Sequence, residues 1–209
     1  MRWLSAPLRR SWISAGVATT TVYLLFVAFP LIVMLVRGAG EDGFWASLTE
    51  GFVLDALRLS LATSGVAVLI TGVLGTPAAY FLAKARFPGH RIVDGLLELP
   101  IVLPPAVAGL ALLMAFGGTG PIGHIGGSIA FTTSAVVMAQ VFVSAPFFIR
   151  SARVGFEAVD DELEGIAQTL GASPITSFWR VSLPLARRAL ITGLVIAWAR
   201  AIAEFGATM

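Results

Sequence analysis

Long apolar stretches constrain this chain more than any other feature of its sequence. Five of them alternate with short polar segments, at about 13–36, 56–83, 92–116, 128–149 and 189–209. About 20 apolar residues are enough for one α-helix to cross the hydrocarbon core of a bilayer. Of the 209 residues, 57% are hydrophobic and 12% are charged, against about 25% charged in an ordinary soluble domain. The sequence therefore predicts an all-α, polytopic membrane protein.

The composition also limits the chemistry that this chain can carry out. There is no cysteine, which excludes disulfides and thiolate metal sites. His90 and His124 are isolated in different loops, which favours solvated residues over metal ligands. No GxxxxGK[ST] motif is present, so the chain cannot hold ATP in a phosphate-binding loop. We therefore expect a subunit without metal or cofactor that is not itself an enzyme.

Basic residues mark the predicted orientation in the membrane. Eleven of the 14 Lys and Arg residues precede the first span or lie in segments 84–91 and 150–188. Loops rich in Lys and Arg stay in the cytoplasm, which predicts a cytoplasmic N-terminus in the cell (inner) membrane. Since these residues border the spans and form no patch, we expect no nucleic-acid partner. The fifth span is still apolar at Met209, so we expect at least one further span beyond this sequence.

Two of the spans carry unusual residues. Pro100, Pro104 and Pro105 remove three backbone donors from the third span, which predicts a kink or a broken helix. This is either a packing kink or a bend that lines a transport pathway. Arg200 and Glu204 lie four residues apart in the fifth span and therefore share one helix face. They form either a structural ion pair or a pair that lines or gates a pathway and attracts an anion.

The segment 157–184 is the longest polar stretch between spans. Asp161 is predicted to be a helix N-cap, and Glu164 three residues later completes a capping box. The apolar face of this first helix is Leu163, Ile166, Ala167 and Leu170. Gly171 follows at the position of a left-handed C-cap.

A second helix is predicted to follow the turn. Ser173 is its N-cap, Pro174 its first residue, and Pro184 its end. Its apolar face is Ile175, Phe178 and Trp179. The segment therefore predicts two short amphipathic helices joined by a tight turn, an arrangement that any two-helix surface hairpin could also show.

This hairpin resembles the signature loop of the membrane subunits of ABC importers. The family pattern is Glu-Ala-Ala, three residues, Gly, nine residues, an aliphatic residue, one residue and Leu-Pro. Matches at that spacing are Ala167, Gly171, Val181, Leu183 and Pro184. Gly165 and Ile166 depart from the pattern, and Glu164 lies one position early.

Three further segments resemble molybdate, tungstate and sulfate permeases: LPIVLPPAVAGLALL with GGTGPIG, AQVFVSAPFFIRSARVGFEAVDDELEGIAQTLGAS, and ARAIAEFGATM. The resemblance covers about 84–209. It implies a type I ABC importer fold as one transmembrane domain over 1–209, a homodimer, a partner ATPase that uses ATP and Mg, and an external binding protein. It also implies that a coupling loop docks into the ATPase. The loop candidates are Asp161, Glu164, Ala167, Leu170, Gly171, Ala172, Ser173, Val181, Leu183 and Pro184; the pathway candidates are Pro104, Pro105, Arg200 and Glu204.

The function that the resemblance implies is ATP-driven import of a tetrahedral oxyanion. We favour molybdate, with sulfate or thiosulfate and tungstate as alternatives. A secondary transporter would instead need intramembrane carboxylates and inverted repeats, of which Glu204 is the one clear carboxylate. A membrane enzyme would need clustered catalytic side chains at one membrane face, and the sequence shows none.

Overall fold

The computed structural model describes residues 6–41, 43–48, 50–118, 120–121 and 130–204. All regular elements in these ranges are helices, which confirms the predicted all-α membrane fold. The chain divides into two compact units, Met1–Leu57 and Arg58–Met209. The single domain over 1–209 stays a prediction.

The first unit is dominated by one long apolar helix. Helix α1 runs over Ala6–Gly40 with Pro30 inside it, and α2 is a single turn over Phe44–Ser47. The predicted first span, 13–36, lies within α1. Large side chains of α1 are exposed, as Phe26 at 76% shows. An exposed apolar surface of this kind suits a helix that faces lipid.

The remaining helices follow in order along the chain. They are α3 Gly51–Lys84, α4 His90–Val102, α5 Pro105–Phe116, α6 Thr133–Glu157, α7 Asp161–Thr169, α8 Pro174–Ser177 and α9 Leu183–Ile202, with a π-helical turn over Phe178–Ser182 between α8 and α9. By length and composition, the described helices include four candidate membrane spans, or five if α4 and α5 together form one broken span.

The third predicted span is broken at its prolines. Helices α4 and α5 meet at an angle of 115°. Leu103 and Pro104 both have extended backbone conformations, because each precedes a proline that disfavours the helical conformation before it. Pro105 then opens α5 as its first residue. The sequence predicts a kink or a broken helix, and the structure shows a broken helix.

Helix α6 is displaced from the predicted fourth span, 128–149. It begins at Thr133, where the Thr132 hydroxyl accepts a bond from the backbone N–H of Ala135 at 3.3 Å. It continues past Arg150 to Glu157. The arginines in its last turns do not end it, since arginine is a good helix former, and Arg153 forms ion pairs with Asp94 at 2.6 Å and Glu157 at 2.7 Å.

The prediction that Pro184 ends a short helix is wrong. Pro174–Ile202 is one helical run of 29 residues, so the helix that contains the fifth span begins well before the predicted start of that span near Ala189. The π turn just before Pro184 has its backbone bond from the Leu183 N–H to the Phe178 carbonyl. A wider turn gives the proline ring room where a regular helix would clash with it. Helix α9 ends at Ile202, and the predicted continuation over 205–209 lies outside the described residues.

Helices α6 and α9 of the second unit pack closely against each other. A Cβ added to Gly155 of α6 would overlap the Cβ of Ala189 on α9. The Ser151 hydroxyl donates to the Ala189 carbonyl oxygen at 2.9 Å. Phe148 and Phe156 of α6 are fully buried in the apolar core, which also contains Ala186 and Leu190 of α9. Small residues that let two backbones approach are a usual basis of helix association in membranes.

Candidate functional site

The hairpin formed by α7 and α8 begins one residue earlier than predicted. Asp160, not Asp161, is the N-cap, and its carboxylate accepts a bond from the Glu162 N–H at 3.0 Å. The sequence offers two successive aspartates, and local propensity does not distinguish them. The cap prediction for Asp161 is therefore wrong, because Asp161 is held by a partner from a distant helix.

That partner is Lys84, the last residue of α3. Its ammonium group forms an ion pair with the Asp161 carboxylate and donates to the Val159 carbonyl oxygen at 2.8 Å. The hydrogen bond from Lys84 and its positive charge, with a smaller effect of Arg86, hold the pKa of Asp161 below its ordinary value. The end of α3 is thereby tied to the start of α7.

Glu164 does not form the predicted capping box. With Asp160 as the cap, Glu164 is the fourth helical residue rather than the third, so its side chain turns away from the helix start. It is 8% exposed. Its carboxylate accepts bonds from Tyr80 of α3 and from Ser182 of the π turn, both at 2.7 Å, and lies 3.4 Å from the Lys84 ammonium. The carboxylate therefore joins α7 to the ends of two long helices.

The turn of the hairpin has the predicted conformation. Gly171 has φ +92°, which an L side chain rarely adopts. The N–H of Gly171 donates to Gln168 and that of Ala172 to Ala167, at 2.9 and 3.0 Å, the two bonds of a Schellman cap. Ser173 then caps α8, since its hydroxyl accepts from the Thr176 N–H at 3.2 Å.

The matched residues at the end of the pattern lie where the hairpin enters the fifth span. Val181 is half-buried in the π turn, and Leu183 packs against the apolar core of the second unit. Pro184 is exposed in the first turn of α9. The Leu-Pro of the pattern therefore marks the entry of the hairpin into the fifth span.

The hairpin presents apolar side chains outward. We call these the exposed hairpin surface: Leu163 44%, Ile166 56%, Leu170 83%, Ile175 72% and Trp179 62% exposed. The predicted apolar faces of both helices exist, but most of their side chains do not pack on this chain. Ala167 is half-buried, and Phe178 turns inward, with its ring centroid 4.8 Å from that of Tyr80. A contiguous apolar patch rimmed by polar residues is typical of a site for a partner.

The predicted pathway residues lie on two different segments of the chain. Arg200 and Glu204 form an ion pair at 2.6 Å, with the Glu204 side chain fully buried and that of Arg200 27% exposed. Gln140 of α6 donates to the Ala201 carbonyl oxygen beside this pair at 3.3 Å. Pro104 and Pro105 lie at the bend between α4 and α5. The shared helix face of Arg200 and Glu204 was correctly predicted, whereas a pathway role for either group stays a prediction.

Three residues of the site were missed by the sequence analysis: Tyr80, Lys84 and Ser182. Tyr80 lies 84 residues before Glu164, and Lys84 lies 77 residues before Asp161. Ser182 lies in a segment without a polar motif. The one available signal was Lys84, the single lysine of the chain, at the end of an apolar span. Within the described ranges, no three His, Asp or Glu side chains are grouped as a metal site would require. His90 lies 3.5 Å from Asp94, and His124 lies outside the described residues.

Proteins with similar sequences are named transport permeases. A molybdenum transport system permease protein, ModB, of Mycobacterium tuberculosis is 43% identical over 190 residues, which are 89% of this chain and 72% of the relative. A molybdate/tungstate permease, WtpB, of Thermococcus kodakarensis is 38% identical over 92% of this chain and 74% of its own length. A probable sulfate permease, cysT, of Chlorokybus atmophyticus is 38% identical over 99% of this chain and 73% of its own length.

The fold also matches a solved transporter. The crystal structure of a bacterial alginate ABC transporter, in complex with an alginate pentasaccharide-bound periplasmic protein, contains a chain that superposes with a TM-score of 0.72 at 17% identity. The match covers 91% of this chain and 73% of the other. The model of the family described as "Binding-protein-dependent transport system inner membrane component" matches residues 73–208. This chain therefore belongs to that family, the membrane permease subunits of ABC importers.

Proposed function

We propose that this permease subunit forms the membrane pathway of an ATP-driven importer of a tetrahedral oxyanion, with molybdate as the first choice. The ModB relative at 43% identity supports molybdate. The WtpB and cysT relatives at 38% identity support tungstate and sulfate as alternatives, and thiosulfate stays an alternative to sulfate. The three ions share shape and charge, and an extracytoplasmic binding protein would carry out most of the selection.

The observation that carries the proposal is the exposed hairpin surface. Five large apolar side chains of the hairpin do not pack on this chain, and three of them, Leu163, Ile166 and Leu170, precede the candidate span Pro174–Ile202. The rest of the hairpin is held by hydrogen bonds. Burial of one such side chain contributes about 1.5–3 kcal/mol. A groove in a separate ATPase subunit, which would hold ATP and Mg, would bury this surface and make the hairpin a coupling loop.

In this proposal the hairpin passes movement from the ATPase to the membrane spans. ATP binding would close two ATPase subunits, each docked on one copy of this chain in a homodimer. Closure would displace the hairpins, and the spans would open to the outside to receive the anion from the binding protein. Capped helices transmit such a displacement better than irregular loops, because their backbone hydrogen bonds fix their length.

The anion would meet at least one positive group inside the membrane. Arg200 is partly exposed and its partner Glu204 is buried. An Arg at the centre of a bilayer costs about 2.5–3.5 kcal/mol on insertion scales, and Glu204 offsets part of this cost. An arriving oxyanion could compete with Glu204 for the guanidinium group, because Arg binds planar or tetrahedral oxyanions through several donors.

Uptake in proteoliposomes tests the proposal. The complete transporter, with its ATPase and binding protein, should import labelled molybdate only when ATP is present. Tungstate and sulfate serve as competitors, and the stronger competitor identifies the alternative ion. Uptake that persists with an inactive ATPase, or that follows an ion gradient, would instead indicate a secondary transporter.

The proposed orientation has its own test. Because the chain has no cysteine, single-cysteine variants can be labelled without a background. In inverted vesicles from cells that lack the ATPase subunit, Ile166→Cys should react with a membrane-impermeant maleimide, and in intact cells it should not, since the hairpin and the N-terminus should be cytoplasmic in the inner membrane. Labelling of Ile166→Cys from outside intact cells would contradict the proposed coupling role.

A further inference from the structure

The docking surface and the attachment of the hairpin are formed by different residues. Helix α7 has nine residues, and Glu164 is the one among them that is buried. Leu163 and Ile166, on either side of it, are exposed. A force applied to α7 from outside must therefore reach the rest of the chain mainly through Glu164 and the neighbouring Asp161–Lys84 ion pair, or through the turns at its two ends.

Glu164 is bonded to both long helices that flank the hairpin. Tyr80, one turn before the end of α3, donates to one carboxylate oxygen, and Ser182, directly before α9, donates to the other, both at 2.7 Å. Each carboxylate oxygen thus has its own donor from a different helix. Lys84 lies 3.4 Å from the second oxygen and shares its charge with Asp161.

The donors are themselves held in place. The Tyr80 ring makes edge contacts with Phe156 and Phe178, at centroid distances of 5.4 and 4.8 Å. Ser182 is fully buried and belongs to the π turn, which inserts one extra residue per turn and rotates the side chains before α9. The backbone distortion therefore lies at the residue that supplies the Ser182 donor.

The position of the acid along α7 decides which way it faces. Gly165, where the family pattern has its glutamate, is exposed, and a Cβ there would contact nothing within 4 Å. One residue corresponds to about 100° around a helix. The acid one position earlier is consequently directed at this chain rather than at the exposed hairpin surface, so it cannot serve the same contact as an acid at position 165.

We propose that Glu164 is a positioning residue that makes the hairpin, α3 and α9 move as one body, so that displacement of the hairpin by the ATPase reaches both spans. The inference rests on the proposed coupling function. Directional hydrogen bonds suit this role, because they fix distance and orientation, whereas an apolar contact permits sliding. Loss of Glu164 should leave docking and ATP hydrolysis in place and impair transport.

The test is the number of ATP molecules hydrolysed per anion imported by the complete transporter in proteoliposomes. Glu164→Ala should raise this ratio by about tenfold, through lower import at similar hydrolysis. Glu162→Ala is the matched control for Glu164→Ala, since both remove one carboxylate from α7 and Glu162 is exposed. Glu162→Ala should change the ratio by less than about twofold.

A double variant separates positioning from loss of stability. Tyr80→Phe removes one donor and should raise the number of ATP molecules hydrolysed per anion less than Glu164→Ala does. The double variant with both substitutions should resemble Glu164→Ala, because both changes remove the same bond. A purely structural role would lower hydrolysis and import together and leave the ratio unchanged. If Glu164→Ala does not assemble with the ATPase, Tyr80→Phe and Ser182→Ala decide the question.

The outcomes are distinct. An unchanged ratio for Glu164→Ala, or for both donor variants where Glu164→Ala does not assemble, overturns the inference while the proposed function stands. A wild-type transporter that imports none of molybdate, tungstate or sulfate with ATP overturns the proposed function, and the inference with it.

Discussion

The α6–α9 pair and the hairpin are held by opposite kinds of contact. Gly155 and Ala189 bring α6 and α9 so close that one more carbon atom would overlap. The hairpin is instead attached by a buried carboxylate with hydroxyl donors on both oxygens and by an ion pair to Lys84. In lipid, no hydrophobic gain drives helices together, so the stabilisation of a helix pair depends on close packing. At the hairpin, directional polar bonds fix its distance and orientation relative to α3 and α9, which suits a part that transmits movement.

The largest effect should come from filling the close contact between α6 and α9. Gly155→Ala places a Cβ against Ala189, and we expect a loss of about 3 kcal/mol in stability. Gly165→Ala, the matched control on α7, has open space around the new Cβ and should stabilise its helix by up to about 1 kcal/mol. Thermal unfolding of both purified variants measures the difference. Equal melting temperatures would remove the distinction between the two regions.

The second effect concerns the exposed hairpin surface. Leu170, 83% exposed, should contribute about 2 kcal/mol to docking when the ATPase buries it. Leu170→Ala should therefore weaken co-purification of the ATPase and leave the melting temperature of the subunit unchanged. The same substitution at Leu190, which is buried in α9, should lower the melting temperature instead. A Leu170→Ala variant that retains its ATPase at full affinity would argue against docking at this surface.

The turn should be sensitive to side-chain type. Gly171→Val places a β-branched residue at φ +92°, which costs about 1–2 kcal/mol in the left-handed region. We expect more ATP hydrolysed per anion imported. Gly171→Asn should be tolerated better, because asparagine is the usual substitute at this cap. Normal coupling in Gly171→Val would show that the turn does not need its present geometry.

The smallest effect should follow from Asp161→Asn. The Asp161 side chain is 86% exposed, so solvent screens its ion pair with Lys84. Its pKa is lowered in the folded state from the ordinary value of 3.8. The pair therefore contributes fully above that value, and its contribution is lost only as the pH falls through the lowered pKa. Melting temperatures of the wild type and Asp161→Asn should accordingly differ by the same small amount at pH 6 and pH 8.

Cap and turn residues in the hairpin sequence were sufficient to predict those parts of the structure that depend on neighbouring residues. The Gly171 turn and the Ser173–Pro174 start of α8 form as predicted, because their bonds join residues at most five positions apart. Asp160 and Asp161 show the limit of such signals. Both can cap a helix, and the choice depends on Lys84, 77 residues away.

Pro184 was misjudged for a related reason. A proline after a short helix usually ends it, and nothing local indicates that a π turn will accommodate the ring. The turn places Ser182 against Glu164 and Leu183 against the apolar core. These contacts favour the wider turn over a helix end, and they exist only in the folded chain.

The sequence by itself determined the membrane-spanning class of this protein, its hairpin turn and its family, because apolar length, cap residues and motif spacing are properties of short segments. The tertiary structure decided where Glu164 points, what holds Asp161 and how the hairpin continues into α9. Those outcomes depend on helices whose contacting residues are 18 to 84 positions apart, and the cost of burying a carboxylate is offset only once Tyr80 and Ser182 have been brought to it.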